Sequence, residues 1–336
     1  MQQFRLSEGM KRVVNIGVLG CASIAKHSVI PAILDLKEEY CLKGIASRTE
    51  ESAKACALQF NTEAFTGYEA LLNSDNLDAV YIPLPNAMHA EWIDKAIERN
   101  LHVLVEKSLA CSLEDVMSLT RLASEKQLAL VENFQFRFHR QLSIIKQLVI
   151  EGKIGELRCL RSSFGFPPFA DAENIRYANE LGGGSLLDAG AYTVKIAQMF
   201  LGYDLEVKAS SLHHDPDLNV DIWGGAYLQE QGSSMFAELA FGFDNYYQCN
   251  LELWGSKGKI TANRIFTAPS GFSPEITLET GEGKEIIAVE PDHHFRNMLK
   301  HFYSLLTSGS GLKDEYEQNI QQSRLLEAVK NTAHAG

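Results

Sequence analysis

The chain has 336 residues, 45% hydrophobic and 22% charged, enough for two soluble globular domains with a full core each. Acidic residues outnumber basic ones 43 to 31, for a net charge of −12, which argues against the basic surface that a nucleic acid or an anionic membrane requires. A local cluster of Arg and Lys can still hold an anionic substrate. No apolar run is long enough to cross a bilayer. The polar start, Met1 to Arg12, reads as a frayed tail without a signal-peptide core, with Met10 as an alternative start. Cys21, Cys41, Cys56, Cys111, Cys159 and Cys249 form no C-x-x-C pair; they read as reduced thiols of a cytoplasmic protein.

Val13 to Leu19 is a buried strand, followed by a glycine turn and a helix from Ser23 to Leu36. Strands at 42–47, 79–82, 102–105 and 128–132 then alternate with helices at 50–60, 89–99 and 113–126, and a short segment lies at 68–72. That alternation predicts βαβ units, a parallel sheet and right-handed crossovers. After Asn133 the pattern changes. A helix at 140–151 precedes alternating strands at 156–165, 205–212, 226–229, 234–241, 247–254 and 259–262, with a helix at 185–201 among them. Gln231-Gly232-Ser233 and Gly255-Ser256-Lys257-Gly258 suggest hairpins. Helices near 294–306 and 315–334 close the chain. The expected fold is α/β: a dinucleotide-binding domain over 1–133, then an α+β domain with an open-faced, mostly antiparallel sheet over 134–336.

The turn after the first strand, Gly20-Cys21-Ala22-Ser23-Ile24-Ala25, is a relaxed G-x-G-x-x-G. Gly20 permits the tight turn, Ala22 is small enough for backbone to approach a pyrophosphate, and the helix start at Ser23 and Ile24 turns its amides toward the phosphates. The second strand ends Ala46-Ser47-Arg48-Thr49, without the acid that holds a ribose 2′-hydroxyl in NAD sites. Ser47 and Arg48 suit a 2′-phosphate instead, so NADP is expected over NAD. Pro83-Leu84-Pro85-Asn86 leaves another strand as a stiff loop that walls the ribose and nicotinamide or simply connects two elements.

Leu101 to Val105 runs into Glu106-Lys107. A lysine at the carboxyl end of a parallel strand points into the ligand crevice. Further on, Gly182-Gly183-Gly184 leads to Asp188 and Tyr192, an acid and a phenol on one helical face. Hydride transfer to a ketone leaves charge on oxygen, so a proton donor is needed. Lys107 beside Tyr192 would draw the phenol's pKa down toward working pH, and Asp188 would orient a substrate hydroxyl or balance the lysine. Singly, each residue has a plainer reading as surface, packing or capping; their order along the chain favours the joint one.

These motifs, namely Gly17 to Ala22, Pro83 to Asn86 with His89, Glu106-Lys107, and Gly183-Gly184 through Asp188 to Tyr192, resemble the glucose–fructose oxidoreductase/inositol dehydrogenase/rhizopine-catabolism family over nearly the whole chain. The resemblance implies a Rossmann domain, an open-faced sheet domain and a homodimer or homotetramer built through that sheet. It places Pro83, Leu84, Pro85, Asn86, His89, Glu106 and Lys107 at the cofactor and Lys107, Asp188 and Tyr192 at the chemistry. Ser108 stands where the family has proline, a departure expected to loosen the loop. Val80 to Pro85 with His89 and Trp92, Glu132 to Phe134, His139 and Ile175 to Tyr177 resemble the 3-ketoreductases of deoxysugar biosynthesis. That branch implies NADPH, a nucleotide-linked keto sugar, and substrate contacts from Asn133, Gln135, Arg137, His139, Arg176, Tyr177 and Asp188. Arg137, Arg140 and Arg176 would meet a pyrophosphate.

Two other readings stay open: NADP-dependent oxidation of a free sugar, polyol or trans-dihydrodiol, and a non-catalytic dinucleotide-binding regulator. His213-His214-Asp215 and Asp292-His293-His294 are metal-like in composition but read as solvated loops, so no metal is expected.

Overall fold

The computed structural model describes residues 12–171 and 173–334; the reading of the segment before Arg12 lies outside them. Strands β1 (Val14–Leu19), β2 (Tyr40–Ser47), β3 (Glu63–Thr66), β4 (Ala79–Ile82), β5 (His102–Glu106) and β6 (Leu130–Asn133) form a parallel sheet in the order β3-β2-β1-β4-β5-β6. This is the doubly wound order, with a crevice where the sequence reverses between β1 and β4. The central strands are apolar on both faces because helices cover both.

Helices α1 (Ile30–Asp35, preceded by a π-helical turn over Ala25–Val29), α2 (Glu50–Gln59), α3 (Tyr68–Leu72), α4 (Asn86–Glu98) and α5 (Leu113–Glu125) fill the crossovers. Two of the longer ones, α2 and α5, start where the sequence supplies caps. Thr49 Oγ1 accepts from Ser52 N at 3.3 Å and Ser112 Oγ from Asp115 N at 3.1 Å, with acids in both first turns.

The second sheet holds β7 (Leu157–Gly165), β8 (Leu205–Asp215), β9 (Val220–Glu230), β10 (Phe236–Gly242), β11 (Gln248–Gly255), β12 (Gly258–Asn263), β13 (Glu275–Thr280) and β14 (Gly283–Ala288), ordered β14-β13-β12-β11-β7-β10-β9-β8. Every neighbouring pair is antiparallel except β7 and β10. Helices α6 (Arg140–Ile150) and α7 (Ala191–Leu201) cover one face. The other face carries the half-exposed aromatics Trp223, Tyr227, Phe236 and Trp254, and there Arg161 bridges Glu238 at 2.5 Å and Glu252 at 2.9 Å. Strands β3, β13 and β14 were not expected from the sequence. All are edge or near-edge strands, and β14 is exposed along most of its length.

The last two helices, α8 (His294–Ser308) and α9 (Leu312–His334), return to the first sheet. Phe295, Met298, Leu299 and Phe302 of α8 join the core under β1 and α1, and Tyr40 Oη donates to Leu299 O at 2.6 Å. On α9, Tyr316 Oη donates to Leu128 O at 2.6 Å and Asn319 Nδ2 to Leu130 O at 2.9 Å. Farther along the same helix Ser210 Oγ of β8 donates to Val329 O at 2.7 Å, so α9 spans both sheets.

Arg137, just beyond β6, meets Glu315 of α9 through both guanidinium nitrogens, at 2.9 and 3.1 Å, and His301 Nε2 lies 2.9 Å from the same carboxylate. Burial raises the Glu315 carboxyl, but the charges of Arg137 and His301 outweigh it and hold it well below the usual carboxylate range. A depressed folded-state pKa means stability that is present above the unfolded value of ~4.3 and lost as pH falls through the folded value. Arg137→Met leaves that carboxylate without its main partner. Urea unfolding at pH 7 is expected to show a loss of about 3–5 kcal/mol, shrinking below pH ~4. An unchanged midpoint at pH 7 would remove the pair as a tie between β6 and α9.

Candidate active site

Gly20 ends β1 at the crevice with φ +126°, and a Cβ added there would lie 3.0 Å from Leu84 Cδ2. The left-handed backbone and the close approach of the loop after β4 both demand glycine. Ala22 O accepts from Lys26 N at 3.1 Å as the chain turns into helix. Ser23 is exposed, its Oγ 3.1 Å from His27 Nδ1, while Ile24 packs toward the core. At the end of β2, Ser47 is buried and its carbonyl accepts from Gly67 N at 2.8 Å, whereas Arg48 is exposed. The small-residue turn and the free cation beyond β2 fit a dinucleotide carrying a 2′-phosphate.

The loop after β4 is tied twice. Asn86 Nδ2 donates to Gly182 O at 2.9 Å, joining it to the second domain. His89 is fully buried, with Nε2 at 2.7 Å from Leu84 O and Nδ1 at 2.8 Å from Ser108 O. The expectation that His89 touches cofactor is therefore corrected: both ring nitrogens face backbone, and the ring joins the loops after β4 and β5. Ser108 does not loosen its loop either. It is buried, its Oγ donates to Leu187 O at 3.0 Å, and the peptide linking it to Lys107 is cis.

Lys107 reaches across to the second domain. Its ammonium donates to both the carboxylate and, at 3.1 Å, the carbonyl of Asp188. Arg176 Nε donates to the other carboxylate oxygen at 2.7 Å, so Asp188 is clasped by two cations. Burial raises its carboxyl, but the charges of Lys107 and Arg176 overcome this and hold it at about 2. The acid sits in a π-helical turn, Leu186–Gly190, that opens α7; such turns recur at functional sites. The turn is anchored by Asp221, which accepts from Ser185 Oγ at 2.7 Å and Leu186 N at 2.6 Å. Gly184, with φ +109°, passes so close that a Cβ would meet Asp221 Oδ1 at 2.4 Å. Sequence reasoning missed Asp221, which lies alone on β9 with no motif around it.

One turn on, the Tyr192 ring packs among Phe134, Phe136, Phe164 and Phe266, with centroids 5.1 to 5.6 Å away. The Lys107 ammonium stands 5.2 Å from the ring centroid. The expected lowering of the phenol is not found. Burial, then the Glu106 and Asp188 charges, push it well above the ordinary tyrosine value, because the lysine charge is already matched by Asp188. A protonated phenol beside a cation suits donation to an oxygen that gains negative charge.

The remaining expected residues divide. Gln135 is buried near the phenol and donates from Nε2 to Phe266 O at 3.3 Å. Asn133 Nδ2 and Tyr81 Oη donate to Glu106 Oε1 at 2.7 and 2.5 Å, which fixes the acid before Lys107. Burial raises that carboxyl. Tyr177 Oη accepts from Phe169 N at 3.0 Å within an aromatic cluster. Two expected substrate contacts are corrected. Arg137 is already paired with Glu315, and His139 is buried, capping α6 by accepting from Gln141 N at 3.2 Å. The first histidine pair is not a loop, since His213 lies in β8 stacked 4.8 Å from Trp223; at the second, Asp292 and His293 do precede the helix, His293 capping α8, while His294 is buried in its first turn.

Comparisons with known proteins extend this geometry. Residues 14–134 match the model of an oxidoreductase family with an NAD-binding Rossmann fold, and residues 143–261 match the GFO/IDH/MocA C-terminal domain. A dTDP-3,4-didehydro-2,6-dideoxy-alpha-D-glucose 3-reductase of Saccharopolyspora spinosa is 39% identical, covering 97% of this chain and 99% of the relative. An NADP-dependent D-xylose 1-dehydrogenase of Haloferax volcanii is 32% identical over 95% of this chain and 97% of its own. The crystal structure of KijD10, a 3-ketoreductase from Actinomadura kijaniata in complex with NADP and TDP-benzene, superposes with a TM-score of 0.92 at 36% identity, covering 96% of this chain and 98% of that one. No helix among the described residues is long and apolar enough to cross a membrane. The chain belongs to the Gfo/Idh/MocA family of oxidoreductases.

Proposed function

We propose that this protein is an NADPH-dependent reductase of a keto group on a nucleotide-linked deoxysugar, acting at C3, with residues 1–133 binding the dinucleotide and 134–336 the sugar. The observation that carries the reading is the cation-clasped Asp188 beside a protonated Tyr192 at the carboxyl end of β5. The 3-reductase relatives and the 3-ketoreductase solved with NADP and TDP-benzene support the substrate class. That relative was also solved with a lysine or a tyrosine substituted, the residue types that meet here at Lys107 and Tyr192.

The bound nicotinamide supplies the hydride. Tyr192 supplies the proton to the carbonyl oxygen. Lys107 stabilises the charge that develops there, as a fixed cation that needs no reorganisation. Asp188 holds Lys107 in place, and Arg176 adds a second cation that leaves the cluster with a net positive charge while remaining partly exposed toward a substrate anion. Arg48 holds the 2′-phosphate of the dinucleotide.

A second reading, NADP-dependent oxidation of a free sugar, is favoured by the D-xylose dehydrogenase relative. Turnover of dTDP-linked 3-keto sugars against a panel of free aldoses and diols separates the two. Brisk oxidation of a free sugar with no nucleotide-sugar turnover would reverse the assignment. Among the described residues the open face of the second sheet presents Trp223, Tyr227, Phe236 and Trp254 in one aromatic field, and we infer that copies of the chain pair through it.

Tyr192→Phe is expected to lower kcat about 10²- to 10⁴-fold, the usual worth of a positioned acid, with NADPH binding retained. Lys107→Ala should fall in the same direction, and near-normal turnover in both would discard the site. Arg48→Ala should raise KM for NADPH about 10- to 100-fold, as a lost charge-assisted hydrogen bond implies, and leave that for NADH nearly unchanged. Equal effects on the two cofactors would remove Arg48 from the 2′-phosphate.

A further inference from the structure

Behind the catalytic groups lie two buried ionisable residues of opposite sign that the mechanism above does not use. Glu132, on β6, is buried, and its Oε1 accepts from Leu109 N at 2.9 Å. Leu109 is two residues beyond Lys107. Lys195, on α7, is 1% exposed and stands three residues beyond Tyr192. Its ammonium lies 5.4 Å from the centroid of the Phe134 ring, which packs edge-on against Tyr192 with centroids 5.5 Å apart. A buried ammonium and a buried carboxylate are each costly alone and tolerable together.

The surroundings are specific. The charges acting on Lys195 are those of Arg137, Glu132 and Glu315, and those acting on Glu132 are Lys195, Arg137 and Lys107. Arg137 and Glu315 are bonded directly to each other, and the opposite charges of Glu132 and Lys195 act on each other without a direct bond. Burial drives the two toward each other, Glu132 up to about 7 and Lys195 down to about 7. One member holds the backbone of the loop that bears Lys107; the other sits on the helix that bears Tyr192.

We propose that Glu132 and Lys195 are positioning residues for the reduction: Glu132 fixes the Lys107 loop through Leu109 N, and Lys195 lies over the Phe134 ring that packs against Tyr192, so that together they set the register of cation and phenol. This rests on the proposed reductase reading for its rate measurement. The mechanics are independent of it. Glu132 anchors Leu109 N, Lys195 lies over Phe134, and Phe134 packs edge-on against the phenol ring.

The test uses the full chain with NADPH and the dTDP-linked 3-keto sugar, together with hydrogen–deuterium exchange of the peptide spanning residues 107–113. Glu132→Leu, which removes the acceptor, is expected to lower kcat at least tenfold with both KM values within about twofold, and to speed exchange in that peptide. Glu132→Gln keeps an acceptor for Leu109 N and is expected to recover most of the rate. Lys195→Met should resemble Glu132→Leu more mildly. Should either single variant fold poorly, Glu132→Gln combined with Lys195→Met removes both charges at nearly constant volume. That double variant should lose no more rate than Lys195→Met alone, as expected for groups that act as a unit. Rates within twofold of wild type in Glu132→Leu and Lys195→Met, or a lower melting temperature with unchanged rate per folded enzyme and unchanged exchange in 107–113, would overturn the proposal. If the wild type reduces no nucleotide sugar, the reductase reading fails, and the exchange measurement alone then decides the positioning claim.

Discussion

The arrangement depends on one carboxylate, Asp188, shared by Lys107 from the first domain and Arg176 from the second. Remove that negative charge and two cations face each other in a partly desolvated crevice, where their repulsion is far stronger than in water. With it, the lysine is held in place, and the phenol nearby, raised chiefly by burial, keeps its proton. The acid therefore sets both the geometry and the protonation of the residues around it. This explains why so much of the local structure serves it: a glycine run that admits Asp221, an anchored π-helical turn, and the Asn86 tie to Gly182.

The crevice around this triad is assembled from loops that would otherwise be independent. His89 bridges the backbones after β4 and β5, and Glu106 draws Tyr81 of β4 and Asn133 of β6 to the end of β5. Each tie is a polar group buried with partners, the condition under which such groups add definition rather than cost. The cofactor end is plainer. It needs a small-residue turn, a glycine with room only for a hydrogen, and an exposed arginine past β2. The chemical end requires exact protonation and is wired accordingly.

Much of this was legible in the amino-acid sequence, for physical reasons that differ by element. Strands β1 and β4 are buried on both faces and read as unbroken apolar runs. Strand β3 has four residues at a sheet edge, and β14 is mostly exposed, so neither carries a clear pattern. Lys107, Asp188 and Tyr192, which the structure brings together, stood out because a strand tip and a glycine-led helix start are local signals. Arg137 was misplaced because its partner Glu315 lies 178 residues away. His89 and His139 sit in motifs, but a motif does not reveal whether a ring faces solvent, ligand or carbonyl. Lys195 follows Tyr-Thr-Val in a helical pattern that a surface lysine would match equally well; only burial distinguishes it.

The helix α9 has a consequence for how the chain acquires its structure. It follows every strand of both sheets along the chain, yet it supplies hydrogen-bond donors to the Leu128 and Leu130 carbonyls at one end and receives β8 near the other. The nucleotide-binding half cannot be finished when its own strands have emerged from the ribosome, because part of its covering layer is still unmade. Domain-by-domain maturation during translation therefore leaves the first half without this layer until the second half has been made.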